Sequence, residues 1–321
     1  MKSTSTTRRE FIGQASGAAA LAALALSPSR GAAAPKPAPS SWPLGCHGRG
    51  FRHWKLSLDG LLDAIQSAGY RSAEIILAES AQAGRPATPQ YVAEVGRALA
   101  ARGMTTTIDY LEIPKGVPYH DAVAAVRRQV DHAQALGQKF LLCLGAEKES
   151  DWLQACRVLA DGAAYGQDRG VQMVLKQHHG LNNTPLELLG WMEQVNHPNF
   201  RLFFDPGNLV YYTGKNPVTQ LDLILPHVVG LIAKDCTGPQ YQERRSGDPA
   251  FGTHRPNPHG DEVMIQFGTG VVDLAGVVKT LKAAGFAGPV MIEGLTVGSS
   301  PQETIANARA NREYFERISV S

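Results

Sequence analysis

Eight short apolar segments, distributed along most of the chain, constrain its fold more than any other feature of the sequence. Each is predicted to be a strand with apolar side chains on both faces, which is typical of parallel strands covered by helices. Their spacing of about 30 residues is the length of one strand–helix unit. The predicted strands lie near residues 43–46, 73–78, 104–109, 139–144, 171–176, 200–205, 228–234 and 289–293.

Segments with helical periodicity separate these strands. Three of their apolar faces are followed by Gly69, Gly137 and Gly285, and glycine is common just after a helix. The alternation predicts an α/β protein with a single (β/α)8 TIM barrel over residues 42–321. A doubly wound open sheet is the alternative, but no GxGxxG motif follows the first strand.

The first 34 residues have the features of a bacterial Tat signal peptide. Arg8 and Arg9 precede an Ala/Leu/Gly-rich stretch at residues 15–26, and small residues follow at 32–34. The stretch is too short and too weakly apolar to span a membrane. We therefore expect export by the Tat machinery to the periplasm or the medium, a Pro-rich linker at 35–41, and no stable membrane association after cleavage. A disordered basic tail is the alternative.

The net charge and the cysteine pattern argue against a nucleic-acid partner and against a role of the cysteines in disulfides. The net charge is +2, but residues 1–34 carry +3, so the remainder carries −1. A nearly neutral body gives no electrostatic reason to bind a polyanion, and no nucleic-acid partner is expected. The four cysteines form no CxxC pair, and we expect them to be small core residues: Cys46, Cys143, Cys156 and Cys236.

Two carboxylates stand at the carboxyl ends of predicted strands, where a barrel gathers its active site. Asp205 follows one apolar run and Glu293 ends another. Converging carboxylates can bind a divalent ion or act as general acid and base. Burial would raise the pKa of either one unless it is paired or bound to a metal. The alternative for each is a helix N-cap or a salt bridge.

Two lysines occupy similar positions. Lys176 ends the fifth predicted strand and Lys234 ends the seventh, and a buried ammonium needs carboxylate partners or a lowered pKa. With Asp205 and Glu293 they would nearly neutralise one another, an arrangement suited to stabilising an enolate or an alkoxide. His47, just after the first strand, is a candidate for recognising a hydroxyl group.

The segments around the last two strands carry further candidates. A polar loop rich in Pro and Gly, residues 237–266, contains His259, and long loops on this face are commonly lids or substrate-binding elements. A lone GxG at Gly268-Thr269-Gly270 is weak evidence for phosphate binding. We interpret it as structural or as a pocket wall, with Asp273 as the N-cap of the next helix.

Four motifs together carry a family resemblance. They are Asp205-Pro206-Gly207-Asn208, Ala233-Lys234-Asp235, the segment from Gly268-Thr269-Gly270 to Asp273, and Gly285-Phe286-Ala287-Gly288 leading to Glu293. Over about residues 42–318 the chain resembles the xylose-isomerase-like TIM-barrel superfamily, in its sugar phosphate isomerase/epimerase branch. The resemblance implies proton transfer next to a sugar carbonyl, as in ketose epimerases, aldose–ketose isomerases and inosose dehydratases. A more distant branch is an apurinic endonuclease.

The resemblance also implies a site with one divalent metal. In the family the ligands are a Glu after strand five, an Asp on strand six, a His on strand seven and a Glu on strand eight. The two Glu residues form the acid–base pair. Asp205 and Glu293 match two of these positions, but Lys176 and Ile232 stand at the other two. Half of the implied metal site is replaced, and a lysine at a ligand position repels a cation.

Two arrangements could restore a working site. In the one we predict, His178 joins Asp205 and Glu293 as metal ligands, and His259 completes the shell around Mn, Mg, Zn or Co. Strand alternation supports this choice, because it places His178 on the same face as Lys176. In the other arrangement no metal binds, Lys176 polarises the substrate carbonyl, and Glu293 carries the proton.

The predicted function is that of an exported carbohydrate-active isomerase or epimerase, or a related lyase, acting on a small-molecule carbohydrate. Sugars are preferred over sugar phosphates because no dedicated phosphate cradle is present in the sequence. The predicted catalytic residues are Glu293, Lys176 and Lys234, and the predicted substrate-binding residues are His47, His179, Asn208 and His259. The alternative is a sugar-binding barrel protein without turnover, which the replaced metal ligands suggest.

Overall fold

Eight parallel strands form one sheet in the computed structural model of the chain, which describes residues 42–78, 84–239 and 263–320. The strands are β1 (Leu44–His47), β2 (Ser72–Glu74), β3 (Ile108–Leu111), β4 (Phe140–Cys143), β5 (Gln172–Leu175), β6 (Phe200–Phe204), β7 (Val228–Ala233) and β8 (Val290–Ile292). Their order around the sheet is β2-β1-β8-β7-β6-β5-β4-β3. Helices alternate with the strands, and the predicted single (β/α)8 TIM barrel is confirmed.

Capping residues set the ends of the surrounding helices. A Thr184–Glu187 capping box begins one helix, the predicted N-cap Asp273 accepts from the Gly276 amide at the start of another, and Gly137 ends a third with φ of 72°. The α-helices are α1 (Leu58–Ser67), α2 (Pro89–Ala100), α3 (Tyr119–Leu136), α4 (Glu149–Gln167), α5 (Pro185–Val195), α6 (Pro206–Thr213), α7 (Pro217–Leu221), α8 (Leu274–Ala283) and α9 (Pro301–Val320).

A layer of apolar side chains fills the inside of the barrel. Each is at most 1% exposed, and burying a side chain of this kind contributes about 1.5–3 kcal/mol relative to leaving it in water. The layer closes the barrel below the carboxyl ends of the strands and forms a floor beneath the polar groups there. It consists of Ile108, Leu142, Val174, Phe203, Ile232 and Met291.

The buried Glu74 side chain joins β2 to β3, the two strands at the ends of the sheet order. Its Oε2 accepts from the backbone amides of Thr107 (3.0 Å) and Ile108 (2.8 Å), and Ser72 Oγ donates to Oε1 (2.8 Å). A Cβ at Gly45 would collide with this carboxylate. The strands β2 and β3 are shorter than the predicted strands 73–78 and 104–109 and displaced from them.

Two general expectations can be compared with the described residues. None of the helices in residues 42–78, 84–239 and 263–320 is long and apolar enough to cross a membrane. The four cysteines are unpaired and buried, as predicted. The predicted signal peptide and linker lie outside the described residues, as do His259 and most of the predicted 237–266 loop.

Candidate active site

The carboxyl ends of β5, β6, β7 and β8 bring two lysines and two carboxylates together, as the sequence predicts. Lys176 Nζ lies 2.9 Å from Asp205 Oδ2 and 2.6 Å from Glu293 Oε2. Lys234 Nζ lies 3.0 Å from Glu293 Oε1 and 3.6 Å from Asp205 Oδ2. All four residues are at most 4% exposed. We call them the ion-pair cluster.

Asp205 is both an N-cap and an ion-pair partner, so the two alternatives for its role coexist. One carboxylate oxygen accepts from the Asn208 amide at 2.8 Å and thereby begins α6, while the other faces Lys176. Asn208 lies in the cluster, where its Oδ1 accepts from Lys234 at 3.0 Å and its Nδ2 donates to the Gln177 carbonyl at 2.8 Å. The predicted substrate-binding residue Asn208 therefore holds Lys234 in place.

Backbone contacts fix the position of Lys176. Asn182 Nδ2 donates to the Lys176 carbonyl at 2.7 Å, and Gln177 Oε1 accepts from the Asp205 amide at 2.9 Å. These bonds tie the end of β5 to the following loop and to β6. The ammonium is thereby held on a rigid part of the barrel.

The charges of the cluster control its protonation. Burial alone would raise the pKa of Glu293, but the ammonium groups of Lys176 and Lys234 outweigh it and hold that pKa well below its usual range. Burial alone would lower the pKa of Lys176, but Asp205 and Glu293 outweigh it and hold that pKa well above its usual range. Glu293 is therefore held as a carboxylate and Lys176 as an ammonium, and the expected rise in the pKa of Glu293 is cancelled by pairing.

Tyr110 is a member of the site that the sequence reasoning missed. Its hydroxyl donates to Glu293 Oε2 at 3.2 Å, and its ring centroid lies 5.7 Å from Lys176 Nζ. Burial raises the pKa of the phenol, so Tyr110 stays a hydrogen-bond donor. The predicted third strand ended at residue 109, so Tyr110 lay outside it. The signal that could have found Tyr110 is an aromatic residue with a hydroxyl group near the carboxyl end of β3.

His47 lies beside this group, at the end of β1. Its ring is edge-on to Tyr110 with 5.5 Å between the ring centroids, and Nδ1 accepts from the Arg49 amide at 3.0 Å. Burial is the main cause that lowers the pKa of His47, to about 3, although nearby Glu293 opposes it. The imidazole is therefore neutral at physiological pH, and the substrate-binding role of His47 stays a prediction.

Two further predicted site residues, His178 and His179, pair with each other. His178 Nδ1 is 2.6 Å from His179 Nδ1, and burial, assisted by Lys176, lowers the pKa of His178 to about 2. The side chain of His179 is 46% exposed, and its Nε2 lies 3.4 Å from Glu147 Oε1. The ring pairing turns Nδ1 of His178 toward its neighbour rather than toward the carboxylates.

The predicted metal ligands His178, Asp205 and Glu293 do not come together as a set. Within the described ranges no group of three or more His, Cys, Asp or Glu residues could hold a metal ion. The Lys176 ammonium lies between the two carboxylates, and it would repel a divalent cation whose oxygen ligands stand at about 2.0–2.6 Å. Ile232 belongs to the apolar layer below. These residues do not fit a divalent metal.

Asp235, next to the cluster, holds the Gly-Thr-Gly segment. Its carboxylate accepts from four backbone amides at 2.9–3.1 Å, which are those of Cys236, Gly268, Gly270 and Val272. A Cβ at Gly270 would collide with this carboxylate, so the close approach requires glycine. The structural interpretation of the segment is confirmed, and no phosphate cradle is needed to explain its glycines.

A cavity of about 500 Å³ lies next to the ion-pair cluster. Tyr110 and His178 stand in its wall, and the remainder combines apolar residues with charged side chains of both signs, which are Arg49, Glu112, Lys115 and Glu147. The volume lies within the range of about 300–1,000 Å³ common for small-molecule sites. A wider cleft of about 1160 Å³ between α2 and α3 is lined neither by Tyr110, which contacts Glu293, nor by His178. The smaller cavity is therefore the better candidate for a substrate site.

Comparison with known proteins places the chain among barrels of one family. A family profile described as "Xylose isomerase-like TIM barrel" matches residues 62–318. Among curated proteins, L-ribulose-5-phosphate 3-epimerase UlaE of Salmonella typhi is 25% identical over 203 residues, which cover 59% of this chain and 63% of that protein. The match therefore spans less than two thirds of the relative's length.

Solved structures show the same fold at low sequence identity. D-psicose 3-epimerase of Clostridium cellulolyticum H10, solved with D-tagatose, aligns with a TM-score of 0.66 at 14% identity, covering 86% of this chain and 99% of that one. A xylose isomerase-like TIM barrel protein from Mycobacterium smegmatis, solved in complex with magnesium, aligns with a TM-score of 0.64 at 16% identity, covering 88% and 97%. At these identities the likeness concerns the fold alone.

Proposed function

Because the chain belongs to the xylose isomerase-like TIM barrel family, we propose that it catalyses proton transfer next to the carbonyl of a sugar or keto-sugar derivative. The reaction class is that of an isomerase or epimerase, or of a related lyase. The observation that carries the proposal is the buried Lys176 ammonium held between Asp205 and Glu293. This is the second of the two arrangements considered from the sequence, in which a lysine takes the place of a metal.

In the proposed reaction, Glu293 removes a proton from the carbon next to the carbonyl. The electron pair of the broken C–H bond moves onto the carbonyl oxygen and gives an enediolate, whose negative charge the Lys176 ammonium stabilises. Delivery of a proton to the opposite face by a water molecule gives an epimer, and the proton on Glu293 then passes to solvent. Return of the Glu293 proton to the former carbonyl carbon, together with transfer of the adjacent hydroxyl proton to the former carbonyl oxygen, gives an isomer. In the lyase outcome the carbonyl re-forms from the enediolate as the C–O bond at the next carbon breaks, and the hydroxyl group leaves as water with the proton held by Glu293. Lys234 and Asp205 keep the cluster electrically balanced.

Substrate binding itself would activate Glu293. In the resting protein Lys176, Lys234 and Tyr110 all donate to its carboxylate, and a carboxylate with a low pKa is a weak base. A carbonyl oxygen that accepts the Lys176 hydrogen bond withdraws one of these donors. The pKa of Glu293 then rises toward the working pH, so the base becomes effective only when substrate is bound.

The test is hydrogen exchange in deuterated water. We expect the purified protein to replace the proton α to the carbonyl in at least one of a panel of keto-sugars, seen as loss of that signal in the proton NMR spectrum. Samples without protein measure the spontaneous exchange of each sugar. The same rate is expected after dialysis against a chelator, with elemental analysis confirming the metal content, because the Lys176 ammonium supplies the positive charge.

Two results would contradict parts of the proposal. If no sugar in the panel exchanges while calorimetry detects tight binding, the chain is a sugar-binding barrel without turnover, an alternative that the fully paired state of Glu293 favours. If exchange is lost on chelation and restored by Mn²⁺ or Mg²⁺, proton transfer stands, but the metal-independent role of Lys176 is wrong.

Export through the Tat machinery is also part of the proposal, supported by Arg8 and Arg9 before the apolar stretch at 15–26. We expect cell fractionation to find the shortened protein in the periplasm or the medium. Replacing both arginines by lysine should retain it in the cytoplasm, since receptor recognition rather than hydrophobicity selects this route. Unchanged export of the R8K/R9K variant would contradict the assignment.

A further inference from the structure

The His47 imidazole has one nitrogen engaged and one free. Nδ1 accepts a hydrogen bond from the Arg49 amide at 3.0 Å, and a ring nitrogen that accepts carries no hydrogen. In the neutral ring the proton is therefore on Nε2. This nitrogen has no hydrogen-bond partner within the described ranges, although the residue is only 2% exposed.

We propose that His47 Nε2–H donates a hydrogen bond to the substrate oxygen that becomes negatively charged in the reaction. This inference rests on the proposed function and deepens it, since it adds a second donor to the Lys176 ammonium. The location supports it: the imidazole packs edge-on against Tyr110, whose hydroxyl contacts Glu293 Oε2 at 3.2 Å. A buried N–H without an acceptor is unfavourable, and a substrate oxygen would satisfy it.

The donor is held rigidly before substrate arrives. His47 ends β1 and caps the short 3₁₀ helix Gly48–Trp54 through Nδ1, which fixes the orientation of the ring. A Cβ at Gly50 would collide with Leu295, so the backbone after His47 is closely packed. A donor fixed in this way does not have to reorganise as the oxygen gains charge, which is the property that makes such groups effective.

The neutral state of the ring is also suited to this task. Burial lowers the pKa of His47 to about 3, so the ring does not become a third cation beside Lys176 and Lys234 at physiological pH. A neutral imidazole donates a hydrogen bond from Nε2 and can polarise a carbonyl oxygen without itself gaining or losing a proton. The carboxylate of Glu293 then remains the group that accepts the proton.

Two variants distinguish the role of Nε2–H as a hydrogen-bond donor from the role of Nδ1 in capping the 3₁₀ helix. His47→Asn places an amide oxygen near the position of Nδ1, so it keeps an acceptor for the Arg49 amide but has no donor at the position of Nε2. His47→Gln reaches the position of Nε2 with an amide N–H but gives up the cap. If Nε2–H acts as proposed, His47→Asn lowers kcat for exchange about 10²-fold with little change in KM, and His47→Gln retains more activity than His47→Asn.

The experiment measures kcat and KM for exchange together with the tautomer of His47. Nitrogen-15 NMR of the resting protein should show the proton on Nε2, and the Nε2 resonance should move when the best-exchanged keto-sugar is added. Equal kcat for wild type and His47→Asn, or lower activity in His47→Gln than in His47→Asn, would overturn the inference and leave His47 as a cap. Absence of exchange in the wild type would instead overturn the proposed function and this inference with it.

Discussion

Replacing Lys176 by Met is expected to lower the free energy of unfolding by about 3–5 kcal/mol at pH 7 and to reduce exchange about 10²–10³-fold. The ammonium contacts Asp205 at 2.9 Å and Glu293 at 2.6 Å while only 1% exposed. Met fills a similar volume but leaves two buried carboxylates with Lys234 as their remaining lysine partner. The variant therefore carries a buried net negative charge that nothing compensates.

The stability loss of Lys176→Met should depend on pH in a defined direction. The pKa of Glu293 is lowered in the folded wild type, so its ionised form contributes stability above the unfolded value of about 4.3, and this contribution is lost as the pH falls. Without Lys176 the pKa of Glu293 in the folded protein rises, and the ionised form of Glu293 then contributes little to stability. The difference in stability between wild type and variant should therefore shrink as the pH falls below about 4.3.

Urea unfolding at several pH values measures this difference. Lys279→Met is the matched control because Lys279 is exposed on α8, and a change there should stay within about 0.5 kcal/mol. A Lys176→Met penalty that stays constant from pH 7 to pH 3 would show that lost packing, rather than unpaired charge, is its cause.

The ion-pair cluster could be predicted from the sequence because each member is marked locally. Asp205 and Glu293 end apolar runs, and Lys176 and Lys234 are charged residues where the run predicts burial. The topology of a parallel barrel then places all four at one end, without any knowledge of side-chain direction. Local signals and one fold rule were therefore sufficient to bring these residues together.

The errors came from contacts that no local pattern encodes. Tyr110 was missed because the apolar pattern predicted a strand over 104–109, whereas β3 spans Ile108–Leu111 and carries the tyrosine to the carboxyl end. His178 does not join Asp205 and Glu293 in the described residues, because strand alternation predicts which face a side chain lies on but not which group it contacts, and its ring pairs with His179. The family resemblance places Lys176 at the position of a metal ligand, but the sequence could not show that its ammonium reaches both carboxylates.

Replacing Glu293 by Gln is expected to reduce exchange about 10²–10⁴-fold, the range attributed to a general base. The variant keeps the shape of the side chain, and its amide oxygen can still accept from one of the two lysines. It removes the group that takes the proton while leaving Lys176, Lys234 and Asp205 in place. Substrate affinity should therefore change less than kcat, and calorimetry with the exchanged sugar measures that affinity directly.

The same variant should alter stability at the opposite end of the pH scale from Lys176→Met. At pH 7 the lost pairing should cost about 3 kcal/mol, because two buried ammonium groups then share Asp205. The pKa of Lys176 is raised in the folded wild type, so its contribution is fully present below the unfolded value of about 10.4 and is lost as the pH rises. Removing the Glu293 carboxylate lessens the rise in the pKa of Lys176. The difference in the free energy of unfolding between wild type and Glu293→Gln should therefore shrink above about pH 10.4.

Glu94→Gln is the matched control for this measurement. Its carboxylate forms an exposed ion pair with Arg85, and such pairs contribute about 0–1 kcal/mol. If Glu293→Gln exchanges the sugar proton at the rate of Glu94→Gln, then Glu293 is not the base. Tyr110 or a bound water would then have to carry the proton. If the stability difference between wild type and Glu293→Gln instead shrinks as the pH falls, the raised pKa of Lys176 is not the cause of that difference. Lys176→Met therefore tests whether the lysine keeps Glu293 ionised, and Glu293→Gln tests whether Glu293 transfers the proton.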